Sequence, residues 1–81
     1  MPGLRRLYAP ERTAVRTDPR GAPLEVDGVR VEAVREEWLV EDRWWTPKPL
    51  RRHYFELAMV DGRALTVFRR AGAQRWYRQR A

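Results

Sequence analysis

The chain has 81 residues, no cysteine and a net charge of +6. That length holds one domain with one modest core. Missing cysteine excludes disulfide staples, thiolate metal sites and cysteine nucleophiles. Missing serine excludes a serine nucleophile. The charge is uneven: residues 1–35 carry +2, residues 36–47 carry −3 and residues 48–81 carry +7. Sixteen of the seventeen cations are arginine, whose planar fork suits phosphate. The same surplus also serves solubility.

Residues 1–10 hold two prolines, a glycine and little periodicity, which predicts an irregular arm before a single domain over 11–81. This arm carries positive charge but no apolar stretch, unlike a secretory signal. No apolar run approaches the roughly 20 residues that cross a bilayer, so a cytoplasmic protein is expected. Thr13, Val15 and Thr17 alternate with Arg12, Ala14 and Arg16 in a first strand over Glu11–Thr17. Asp18-Pro19-Arg20-Gly21 reads as a turn.

Leu24 to Val31 surrounds Asp27-Gly28, the signature of a two-residue type I′ hairpin. In that register Val26 faces Val29, Glu25 faces Arg30 and Leu24 faces Val31, so apolar and charged pairs separate. Glu32 to Thr46 fits two descriptions. Val34, Trp38 and Trp45 are spaced nearly as a helix face, whereas Trp38, Val40 and Trp44 fit strands with a bulge. The Trp44-Trp45 pair favours strand. Thr46-Pro47-Lys48-Pro49 is then an extended loop.

Asp61-Gly62 predicts a second two-residue hairpin, setting Met59 against Ala64, Leu57 against Thr66 and Phe55 against Phe68 on a core face. On the other face Glu56 lies diagonal to Arg69. A last strand, Gln74–Arg80, follows the Ala71-Gly72-Ala73 turn. Short strands and close turns together predict an all-β fold of about six strands, a small antiparallel barrel or half-open sandwich.

The sequence holds little catalytic material. His53 is the only histidine, too few for a zinc site without cysteine. Glu36, Glu37, Glu41 and Asp42 could bind a divalent ion, but a solvated face is the commoner outcome. The glycines are scattered singly, so no phosphate-cradling loop exists. No enzyme, metal or cofactor is expected.

Two binding surfaces are candidates. Arginines and rings interleave as Arg51-Arg52-His53-Tyr54, Phe68-Arg69-Arg70 and Arg75-Trp76-Tyr77-Arg78-Gln79-Arg80. Nucleic-acid grooves combine cations for phosphates with rings for bases. Arg51, Arg52, Arg69, Arg70, Arg75, Arg78 and Arg80 are the phosphate candidates, with Trp76 or Tyr77 for stacking. Neighbours on a strand face opposite ways, so one of those two rings belongs to the core. The rival surface is a protein-docking one, with Trp44 or Trp45 as anchor and the acidic segment 36–42 beside it.

The series Trp44-Trp45, Arg52-His53-Tyr54-Phe55-Glu56-Leu57, Asp61-Gly62-Arg63, Val67-Phe68-Arg69 and Arg75-Trp76-Tyr77 resembles the small domain that ends ImuB-type proteins. Those are catalytically inactive relatives of Y-family polymerases in bacterial mutagenic repair, and stand-alone bacterial proteins of uncharacterised function share the domain. The similarity spans roughly residues 11–80. It implies an accessory, non-catalytic role near damaged DNA, with single-stranded DNA or a larger repair or replication protein as partner. This chain lacks the polymerase-like body.

Overall fold

The computed structural model describes residues 10–42, 47 and 50–79. All regular structure among them is β: β1 (Glu11–Thr13), β2 (Val15–Thr17), β3 (Pro23–Val26), β4 (Val29–Asp42), β5 (Leu50–Met59), β6 (Ala64–Arg70) and β7 (Trp76–Arg78). Among the described residues no helix is long and apolar enough to cross a membrane. Trp44, Trp45 and Arg80 lie outside the described residues, as do arm residues 1–9.

Each strand from β2 to β6 pairs antiparallel with the next or, at β6, with β7, and β1 returns to pair with β7. Strands β1 and β2 are one segment broken only at Ala14, so the two ends of the sheet meet there. The result is a nearly closed, barrel-like sheet. The predicted first strand is therefore present as two short halves serving opposite edges.

Asp27 makes this closure. Asp27 and Gly28 adopt φ of 48° and 83°, the left-handed values of a type I′ turn, and Val26 pairs with Val29 as expected. The Asp27 amide donates to the Ala14 carbonyl at 2.7 Å. Its carboxylate accepts from the Ala14 amide at 2.9 Å and from the Thr13 hydroxyl at 2.7 Å. The break in the first strand would otherwise leave Ala14 without ladder partners. These donors, the Ala14 amide first, hold the Asp27 carboxyl below its ordinary value.

Three details depart from the sequence reading. The β3–β4 ladder ends at Glu25 and Arg30, one pair short of Leu24 and Val31, and Leu24 is exposed where the β2–β3 register shifts between Arg16 and Thr17. The last strand is shorter than Gln74–Arg80 and covers Trp76–Arg78. The second hairpin matters most. Its loop has three residues, Val60-Asp61-Gly62, closed by Gly62 N to Met59 O at 3.0 Å and Met59 N to Arg63 O at 2.8 Å. Only Gly62 takes positive φ, at 89°. A type I turn ending in a left-handed glycine fits this pattern.

That extra residue moves every β6 partner by one. Leu57 pairs with Leu65, Phe55 with Val67 and Tyr54 with Phe68. Leu65 and Val67 thus enter the interior in place of Ala64 and Thr66, which buries more apolar surface. Phe68 goes to the outer face, and Glu56 and Arg69 end on opposite faces. The core is Val26, Phe55, Leu57, Met59, Val67 and Trp76, with Val15, Val29, Val31 and Leu65 packed around it.

Strand β4 continues through most of the ambiguous segment, with register shifts between Val31 and Ala33 and between Val34 and Glu36. Extra residues in a strand imitate helical spacing, which explains the double reading.

If Asp27 closes the barrel, Asp27→Asn should cost about 0.5–1 kcal/mol at pH 7 by urea denaturation, since asparagine keeps the turn but loses the charged acceptor and solvent screens the exposed carboxylate. A depressed folded pKa stabilises above the ordinary value of 3.8 and ceases to as pH falls through the folded value. The gap between wild type and variant should therefore shrink below pH 3.8.

Candidate nucleic-acid interface

Strand alternation and the observed register sort the candidate residues onto two faces. On the inner face charged side chains flank the apolar core. His53 Nε2 lies 2.8 Å from a Glu37 oxygen and its ring stacks on Phe55 at 4.3 Å. Arg51 pairs with Glu41 at 3.1 Å, and Arg78 pairs with Glu11 at 2.9 Å. Arg69 lies over the Trp76 ring at 5.1 Å and packs against Gly21, where an added Cβ would meet its guanidinium at 2.9 Å. Gly21 also has φ of 90°, so glycine suits both constraints. Trp76 itself is 5 % exposed and belongs to the core. Arg51, Arg69 and Arg78 therefore have intramolecular partners, and Trp76 offers no face to a ligand.

The outer face carries a different pattern. Trp38, Tyr54, Phe68 and Tyr77 are register partners across β4, β5, β6 and β7, and Arg12 on β1 faces Tyr77. The four rings form one continuous stack, with centroids 5.3, 4.8 and 5.5 Å apart and interplanar angles of 6°, 29° and 25°. Offset stacking of this kind adds stability beyond area burial. Phe68, covered by Tyr54, Tyr77 and the Arg52 guanidinium at 5.7 Å, is only 7 % exposed despite facing away from the core.

Two residues along the strands, Arg52 on β5 directly faces Arg70 on β6. Arg75, just before β7, shares a depression with Arg70, Ala73 and Tyr77. Arg52, Arg70 and Arg75 thus form a row beside the aromatic row. On the opposite flank the positions are Glu36, Glu56 and Thr66. Among the described residues none of these three arginines belongs to an ion pair. Like charges directly opposite on neighbouring strands destabilise a sheet. An anion lying across Arg52 and Arg70 relieves that repulsion.

The ring stack also limits what can bind. Tyr54 and Phe68 spend both ring faces on their neighbours, so no base inserts there without breaking the stack. Trp38 ends the row on β4, and the β3–β4 ladder reaches only Val29 and Arg30, which leaves no described strand beyond Trp38. Its outward indole face is the open stacking position.

Of the sequence candidates, the fold gathers Arg52, Arg70, Arg75 and Tyr77. Tyr54 stood in an interleaved stretch without a stacking role, and sequence reading did not pick out Trp38 and Arg12, because only the cross-strand register aligns them. Among the described residues no three His, Asp or Glu side chains are grouped as metal ligands. No family model, curated protein or solved structure matches this chain.

The two tryptophans among the described residues, Trp38 and Trp76, should separate cleanly on mutation. Trp76→Ala empties a core position and should cost about 3–5 kcal/mol, enough to unfold much of a domain this small. Trp38→Ala removes a half-exposed end of the stack and should cost less than about 1.5 kcal/mol, measured by the same urea titration.

Proposed function

We propose that this domain is a non-catalytic module that holds single-stranded nucleic acid across the outer face of its sheet. Arg52, Arg70 and Arg75 take successive phosphates, and the bases turn toward the aromatic row. Trp38 stacks one base on its open face, and Tyr77 beside Arg12 closes the other end. The single observation that supports this reading is the unpaired arginine row lying parallel to the ring stack. Cations for the backbone and a ring face for a base are the usual ingredients of sequence-tolerant single-strand binding.

The resemblance to the ImuB-type terminal domain favours a setting in DNA-damage tolerance, where single-stranded DNA is exposed. The acidic flank at Glu36 and Glu56 orients the strand by repelling phosphate from that side.

Fluorescence anisotropy with a labelled oligothymidine tests the proposal. Three phosphate contacts predict a log–log salt slope of about −2, at roughly 0.7 per phosphate on single strands. Arg70→Ala with Arg75→Ala should flatten it to about −0.7. Trp38→Ala should weaken binding about tenfold with the slope unchanged, since stacking is worth roughly 1–3 kcal/mol per base. Binding that ignores salt, or survives the double arginine variant intact, contradicts the assignment.

A further inference from the structure

Strand β4 is 14 residues long, yet β3 covers only its first two positions. Beyond Arg30 its other edge has no ladder partner among the described residues, so alternate amides and carbonyls face outward. Native proteins blunt such edges with bulges, prolines or lysines. Here both register shifts fall before Glu37. From Glu37 to Asp42 the strand pairs regularly with Phe55 to Leu50, and it contains neither proline nor lysine.

The same stretch is apolar where it is bare. Leu39 is 60 % exposed and Val40 37 %, and with Val34 they are three of the five large hydrophobic side chains exposed among the described residues. They lie on opposite faces, with Leu39 beside His53 and Val40 beside Arg52. An added strand would cover both. Charge decides the occupant. Residues 36–42 hold four acidic residues and no cation, in a chain of net +6. A second copy would bring this acidic stretch against itself, which is destabilising across a ladder.

We infer that the β4 edge from Glu37 to Asp42 accepts an extended segment of a partner protein in which arginine or lysine alternates with apolar residues. The segment joins the sheet as one more strand: main-chain hydrogen bonds supply affinity, and Leu39, Val40 and the flanking carboxylates supply selectivity. This surface is separate from the arginine row, although Trp38 adjoins both. Both ligands would meet at the outward face of Trp38, so the peptide titration is run without nucleic acid.

The test uses the full chain and a short fluorescent peptide alternating arginine with valine, followed by anisotropy and amide hydrogen exchange. The expected result is saturable binding, with amides of Glu37–Asp42 slowed at least about tenfold in the complex. A glutamate–valine peptide should not bind, and an arginine–valine peptide interrupted by prolines should bind at least about tenfold more weakly, because it cannot extend the ladder. Leu39→Lys, at an exposed position that leaves the fold intact by circular dichroism, should lose about tenfold in affinity. Equal binding of the proline-interrupted peptide would reduce the effect to charge attraction and overturn strand addition. Slow exchange of the same edge amides in the free monomer, or in a concentration-dependent dimer, would overturn it too, by showing that the chain or a second copy already covers the edge.

Discussion

Side chains on a strand alternate between faces, so the pairing of β5 with β6 decides which residues are interior and which are surface. The three-residue loop Val60-Asp61-Gly62 sets that pairing. With it, Leu65 and Val67 complete an apolar interior around Leu57 and Phe55, and Phe68 joins Tyr54 outside. A two-residue loop would put Thr66 in the core and break the ring stack in the middle. The arginine row depends on the same register, because Arg52 meets Arg70 only when Tyr54 meets Phe68. Asp61 reinforces the loop by accepting from the Arg63 amide and guanidinium at 3.1 and 2.8 Å.

Closure is a second, independent device. A meander with a single strand broken at Ala14 can serve both sheet ends only if something holds the break. Asp27 does so with its own amide and carboxylate. One residue thus serves the turn of its own hairpin and the seam of the barrel. The strands at the seam bury Val26 and Trp76, and the inward-facing charges of Arg51 with Glu41 and Arg78 with Glu11 are held in pairs. The long β4–β5 pair extends past the closed part, and beyond Arg30 the outer edge of β4 has no strand partner among the described residues.

Local sequence signals carried much of this architecture. Asp27-Gly28 is flanked by Val26 and Val29 on one face and by Glu25 and Arg30 on the other, so turn chemistry and side-chain pairing agree. Asp61-Gly62 is chemically similar, and there the loop length is decided by which β6 residues fill the interior, a long-range matter. The strand-or-helix ambiguity of residues 32–46 has the same origin, since the bulged ladder with β5 selects strand through at least Asp42. For the candidate site, arginine richness was legible. Its division was not: Arg51, Arg69 and Arg78 turn inward to Glu41, Trp76 and Glu11, and their alternation with Arg52 and Arg70 emerges only from the register. Trp38 reads as an ordinary strand residue until the four rings align across β4 to β7.

The two outer features, the arginine row and the acidic edge of β4, both derive from where β6 sits against β5 and how far β4 outruns β3. The most direct measurement is a proton NOE spectrum of the labelled protein resolving cross-strand contacts between β5 and β6. The account predicts backbone contacts pairing Leu57 with Leu65 and Phe55 with Val67, together with ring contacts between Tyr54 and Phe68. Contacts pairing Leu57 with Thr66 and Phe55 with Phe68 would contradict it, and the ring stack and the arginine row would no longer share a face.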